Sequence, residues 1–185
     1  MDEIKNQDEA GCNTSCETVK FVGYGTVIAF VLAWLMHYIG NAFGGMYVLE
    51  GVLPINESIW EHTKIAFYPS IFVTLVPWCD FVKRIEWKKR FVLAAVSGIL
   101  SKLIVWVGYY GLKYGLNREG MLIDCCLLIV GLLVGFARAA MLADANIYDW
   151  VKWVCIIYIV AMVVFFYIFA FAPVDLPLFM PPVQG

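Results

Sequence analysis

The sequence predicts an all-α integral membrane protein, a bundle of about five transmembrane helices with the N-terminus inside and the C-terminus outside. Three observations carry that expectation. Hydrophobic residues make up 62% of the chain and charged residues only 15%, against roughly 45–50% and about 25% in soluble domains. So large an apolar excess does not fit inside one core whose surface must still face water. Five apolar runs each approach the ~20 residues that cross ~30 Å of hydrocarbon as a helix. Basic residues gather in one short loop, where Lys83, Arg84, Lys88, Lys89 and Arg90 account for five of the thirteen. This composition excludes a soluble enzyme, a nucleic-acid reader and a disulfide-stapled secreted module, and the net charge of −2 comes with no basic patch for a polyanion.

Residues 1–20 carry Asp2, Glu3, Asp8, Glu9 and Glu17 against Lys5 and Lys20. They lack the basic-then-apolar order of a secretory signal and read as a short, disordered acidic tail on the cytoplasmic side. Asn13-Thr-Ser15 matches a glycosylation sequon, a pattern common by chance. The membrane domain covers 21–172, with spans at about 21–40, 64–82, 91–112, 121–142 and 150–172. In lipid every backbone amide must be satisfied within its own segment, which leaves helices as the form of each span. Pro69 and Pro77 should both kink span two. Gly131-x-x-x-Gly135 fits the close-approach pattern of packed membrane helices. Cys79, Cys125, Cys126 and Cys155 fall in apolar runs and read as small hydrophobes, while Cys12 and Cys16 lack a second ligand pair for zinc. Residues 173–185 are too rich in proline for a helix and are expected to fold back over the outer face as an apolar strap.

By the positive-inside rule the 83–90 loop is cytoplasmic, which puts the 41–63 and 113–120 connections outside. Arg138 and Lys152 agree with that orientation, and Lys64, Lys113 and Arg118 form an outer minority. Trp78, Trp87, Trp150 and Trp153 lie near span ends as interfacial anchors.

Ionisable groups in or near spans are costly and therefore become site candidates. His37, Glu57, Glu61, His62 and Asp124 all fall in one outer layer under this topology. Pro54-Ile-Asn-Glu-Ser-Ile-Trp-Glu-His62 is the richest stretch. With Asn56 as N-cap, Glu57 and Glu61 share a helical face. His37, Glu57, Glu61 and His62 would then supply ligands to a divalent ion such as Zn, Mn or Fe, and Glu57, Glu61 and Asp124 the acid and base of a catalytic site. With Ser58 as cap, Ser58-x-x-Glu61 is a capping box and Glu57 stands outside the helix. Lys102, near the middle of span three, would have to snorkel several ångströms to approach Asp124, and it joins Asn41, Asn56 and Trp60 as candidate substrate contacts.

His37-Tyr-Ile-Gly-Asn41, followed by Asn56-Glu-Ser-Ile-Trp-Glu-His62 and an apolar span, resembles a family of small prokaryotic multi-pass membrane proteins of unknown function. The hallmark of that family is an N-E-S-[IV]-W-E-H motif after the first span, and Pro177-Leu-Phe179 is similar to its P-L-F ending. The likeness covers about 21–185 and implies a bacterial or archaeal inner-membrane protein. Two departures stand out: the family often carries an acidic residue where this chain has Asn41, and an aspartate near the end where it has Pro181. The resemblance supplies placement rather than mechanism.

Three functions compete on the sequence. The first is a ligand- or metal-binding membrane protein, extending to a metal-dependent hydrolase at the outer leaflet. The second is a small-solute or ion-coupled transporter using Lys102 and the outer carboxylates, although no internal duplication of the kind common in carriers is visible. The third is an accessory subunit whose motif orders the outer loop. The expected partners are the bilayer, a lipid or small-molecule ligand, and a second copy of the chain.

Overall fold

The computed structural model describes residues 2–42, 47–118, 120–172, 174–176 and 178–179, with side chains from Ser15 onward except at 41, 47 and 48. Its elements in chain order are α1 (Asp2–Ala42), the single turn α2 (Tyr47–Glu50), α3 (Ile59–Leu75), the single turn α4 (Asp80–Lys83), α5 (Trp87–Tyr110), α6 (Met121–Met141) and α7 (Asp149–Phe171). A π-helical turn at Gly111–Gly115 extends α5. No strand occurs among the described residues.

Four stretches are long and apolar enough to cross a membrane: Ser15–Gly40, Trp87–Gly115, Met121–Met141 and Asp149–Phe171. They coincide with four of the five expected spans. The remaining one corresponds to α3, whose 17 residues measure about 25 Å at 1.5 Å per residue. It begins earlier and ends earlier than the expected 64–82. Pro69 lies inside it, but Pro77 does not kink it. A residue before proline is pushed out of the helical region, and Val76 is already extended at φ −74° and ψ 126°, so the helix stops at Leu75.

The acidic segment also departs from expectation. Instead of a disordered tail, residues from Asp2 onward are the first turns of α1. Glu, Lys, Gln and Ala are good helix formers, no proline interrupts them, and extending an existing helix adds one hydrogen bond per residue fixed.

α3 is the most enclosed helix, with Ala66, Phe67, Ser70 and Val73 fully buried. Its hydroxyls bond back to their own helix, Ser70 to Ala66 O and Thr74 to Ser70 O, as isolated polar groups in an apolar setting do. α7 is the opposite case: Ile157, Val160, Val164 and Ile168 are exposed along its length. Apolar surface on that scale is what a lipid-facing helix presents.

α5 and α6 approach most closely. A Cβ added to Gly135 would stand 2.7 Å from Ser97 O, and one on Gly131 would stand 2.8 Å from Ser101 O. Ser97 and Ser101 are fully buried, and Ser101 Oγ donates to Gly131 O at 3.1 Å. The expected small-residue contact is therefore present, with Ser97 and Ser101 as its other half.

The basic loop gathers the helix ends opposite His37. Lys152 bridges Glu86 at 2.8 Å, Lys89 donates to Ala145 O at 2.7 Å, and Arg84 lies 4.0 Å from Glu17. Arg90 reaches Ile85 O and Leu75 O. The Glu17 turn of α1, the end of α3 and the 142–149 turn thus meet at one basic end. Lys88 sits over the rings of Trp87 and Trp153 at 5.6 and 5.3 Å.

Gly135→Val is expected to destabilise the protein by about 1–3 kcal/mol, the usual cost of forcing volume into a packed contact. Unfolding in mixed micelles checks this, with Gly23→Ala, where an added Cβ meets nothing within 4 Å and helix propensity favours alanine, as the control that loses no stability.

Candidate functional site

At the end away from the basic loop, α1, α3, α5 and α6 surround a cavity of about 540 Å³. Its lining follows helical spacing on each element. Phe30, Ala33, Trp34 and His37 form one stripe of α1, and Met121, Asp124, Cys125 and Leu128 form the matching stripe of α6. Both follow the i, i+3, i+4, i+7 pattern that brings side chains onto one helical face. α3 contributes Ile59, His62 and Ile65, α5 contributes Val105 and Tyr109, and Glu57 enters from the connection before α3. The space is mostly apolar, with two imidazoles and two carboxylates in its wall.

The connection is shaped by its own polar side chains. Asn56 Oδ1 accepts from Ser58 N at 2.8 Å, an Asx turn that delivers Ser58 to the N-cap. Ser58 is extended at φ −72° and ψ 154°, and its hydroxyl accepts from Glu61 N at 3.3 Å. This is half of the expected capping box. Glu61 does not reach back to Ser58 N, because Asn56 already holds that donor. Glu57 therefore stands outside the helix, and the alternative with Asn56 as cap is corrected.

Glu61 instead turns inward. Its Oε2 accepts from Lys64 Nζ at 2.6 Å and from Ile55 N at 3.0 Å. Lys64 is fully buried and donates also to Glu50 O at 2.6 Å and Leu53 O at 3.5 Å. Three acceptors thus meet the three N–H groups of one ammonium. A buried charge needs such partners, since desolvation otherwise outweighs its attraction to one counter-ion.

His62 faces the other way. Its Nδ1 lies 2.9 Å from Ser58 O; a carbonyl only accepts, so this nitrogen carries the hydrogen. That leaves Nε2 directed to the cavity side, 3.5 Å from Glu57 Oε2, an ion pair when the ring is protonated. The His37 and His62 rings are 5.5 Å apart, and His37 Nδ1 is buried without a hydrogen-bond partner among the described residues.

Of the five candidates in the outer layer, His37, Glu57, His62 and Asp124 line the cavity and Glu61 does not. The ligand set His37, Glu57, Glu61 and His62 is not assembled, because Glu61 is committed to Lys64. The described residues bring no three His, Cys, Asp or Glu side chains into position to hold a metal ion. The catalytic trio Glu57, Glu61 and Asp124 loses Glu61 for the same reason. Lys102 does not approach Asp124: its Nζ donates to Tyr158 OH at 2.6 Å and lies 3.6 Å from Met162 Sδ, between α5 and α7. At i, i+3 and i+7 it shares a stripe of α5 with Val105 and Tyr109, but it lies one to two turns farther from the cavity mouth and its ammonium is drawn to Tyr158 of α7. Trp60 packs at 5.0–5.4 Å against Phe166, Phe169 and Phe179, outside the cavity. Its backbone N–H donates to Leu178 O at 3.0 Å, so residues 178–179 lie across the start of α3, as a strap would. Asn56 is a turn residue, and the Asn41 side chain lies outside the described residues.

Sequence reasoning missed Trp34, Tyr109 and the apolar wall, although the periodic stripe ending at His37 was a signal. It also set Lys64 aside as a matter of topology, although Glu61 and Lys64 stand at the i, i+3 spacing of a helical ion pair.

Removing either partner of the buried pair leaves the other uncompensated, a loss of about 3–5 kcal/mol. Glu61→Gln and Lys64→Met are each expected to lower the melting temperature in detergent sharply, and Glu57→Gln, on a side chain 56% exposed, to leave it nearly unchanged. Equal melting temperatures for all three would overturn the structural role of the pair.

Neither a curated protein nor a solved structure matches the chain. A family model matches residues 11–185, nearly the whole length, and the chain therefore belongs to the family of unknown function DUF6512.

Proposed function

We propose that this protein is a multi-pass inner-membrane protein of prokaryotes that binds an amphiphilic, lipid-like ligand in the cavity at its outer face. The cavity itself carries this reading: about 540 Å³ bounded by four helices, with Phe30, Ala33, Ile65, Val105 and Leu128 for a hydrocarbon body and His37, Glu57, His62 and Asp124 for a polar head. Sites for small molecules commonly have this volume and this mixture of apolar wall and few polar groups. The orientation rests on the positive-inside rule applied to the basic loop. α3 would be the fifth crossing, short because it is shielded by its neighbours.

A hydrolytic reading is the runner-up, favoured by one observation. The hydrogen bond from His62 Nδ1 to Ser58 O fixes the ring so that Nε2 in its neutral form is a base beside Glu57. A metal is not needed for that role. The transport reading loses its main support, since Lys102 is separated from the carboxylates it was to serve.

Native mass spectrometry of protein purified in mild detergent is expected to retain an amphiphile of lipid mass, and Val105→Trp, which fills the cavity, to abolish it at an unchanged melting temperature. Equal adduct on both proteins, or none on the wild type, would overturn the proposal. Turnover of membrane phospholipid by the reconstituted protein, lost in His62→Gln, would move the conclusion to the hydrolase.

A further inference from the structure

We propose that a second site, an apolar groove on the flank of the bundle, holds one acyl chain of an anionic phospholipid whose phosphate is taken by the basic loop. The groove has a volume of about 410 Å³ and runs between α1 and α3, with Leu32 and Met36 on one side and Tyr68, Phe72, Leu75 and Val76 on the other. From Tyr68 to Leu75 it follows about 10 Å of α3. The one hydroxyl among its lining residues, that of Tyr68, is turned onto Gly51 O at 2.8 Å. What the groove offers an occupant is therefore hydrocarbon contact.

The head group follows from what surrounds the foot of the groove. α3 stops at Leu75, and there Leu75 O lies 3.5 Å from Arg90 Nη1. Arg90 also donates to Ile85 O at 3.0 Å and to Lys83 O at 3.2 Å. A guanidinium has five N–H groups, so two remain, and carbonyls leave its charge unneutralised. The nearby carboxylates are already matched: Asp80 pairs with Lys83 at 3.0 Å, and Glu17 lies 4.0 Å from Arg84. Lys20, exposed and one turn along α1 from Glu17, is a second cation without a carboxylate partner among the described residues. Glu9 stands eight residues before Glu17, about 12 Å along α1 and beyond the ~8 Å Debye length at physiological salt. An excess of positive charge thus sits where the apolar groove ends. Basic pockets at the ends of membrane helices take acidic lipid head groups for this reason, whereas a zwitterionic lipid offers the same chain but brings its own cation.

An open groove exchanges its occupant with detergent, so the test reads binding at equilibrium with added lipid. The full-length protein is titrated with dioleoylphosphatidylglycerol or dioleoylphosphatidylcholine and the adducts are counted by native mass spectrometry. Phosphatidylglycerol is expected to bind at least about tenfold more tightly, with the ratio falling as ammonium acetate is raised. Lys83→Glu, on a side chain 57% exposed, is expected to abolish that preference. Leu32→Trp, which fills the groove, is expected to lose the phosphatidylglycerol adduct, and Val105→Trp, in the cavity at the other end, to keep it. Equal binding of the two lipids by the wild type overturns the site, and this comparison decides even where a variant fails to fold. A preference that survives both Lys83→Glu and Leu32→Trp overturns it by placing the lipid elsewhere; one that disappears in Val105→Trp overturns it by placing the lipid in the cavity. A protein dimer in place of the adduct gives the groove to a second copy of the chain and overturns the lipid.

Discussion

A buried ammonium ties the cavity-bearing end together. Lys64 has no contact with solvent, and its three acceptors come from three places: Glu50 O, Leu53 O and the Glu61 carboxylate. The same carboxylate accepts from Ile55 N. One charge pair on α3 thereby fixes the course of residues 50–55. Such a pair is weak as a net source of stability, because desolvation consumes most of its Coulombic gain. It is strong as a constraint, because any other course of the connection would leave a charge buried without partners.

The site follows from that constraint. With the connection held, Asn56 can cap Ser58 N, Ser58 can cap α3, and Glu57 is left at the edge of the cavity instead of on the helix. Glu61 and His62 are adjacent in sequence but point to different sides of α3, one to the buried ammonium and the other to the cavity. The far wall is set by the α5–α6 contact. Gly131 and Gly135 let the two helices close on Ser97 and Ser101, while farther along α5 and α6 Tyr109 and Asp124 face the same open space. Close approach at one level and a cavity at another are consistent with stiff helices that carry small residues only where they touch.

Much of the architecture was legible because lipid restricts the alternatives. The run 91–112 could only be a helix, and α5 is one; Gly131-x-x-x-Gly135 fitted the close-approach pattern, and the two glycines do meet Ser97 and Ser101. The site was half legible. His37, Glu57, His62 and Asp124 share one depth because span boundaries and helix rise fix depth. Glu61 and Lys102 have ionisable chemistry at plausible depths but are held by other partners, Lys64 and Tyr158, and which partner a polar side chain meets depends on how the helices pack. Pro77 illustrates the same limit at a smaller scale: a proline inside an apolar run kinks a helix or ends it, and the extended Val76 shows that here it ends it.

By itself the sequence determined the helical class, the approximate position of most of the long helices and the concentration of basic charge at one end, since these depend on composition and on period along the chain. Tertiary structure alone decided which polar side chains meet. Glu61 became part of a structural ion pair and His62 part of the cavity wall because a helix turns about 100° per residue, and only the packing of α3 against α1, α5 and the 50–55 segment selects which direction is interior. The apolar excess likewise stated that the chain meets lipid, but the open-sided cavity among α1, α3, α5 and α6 exists only once four helices are set side by side.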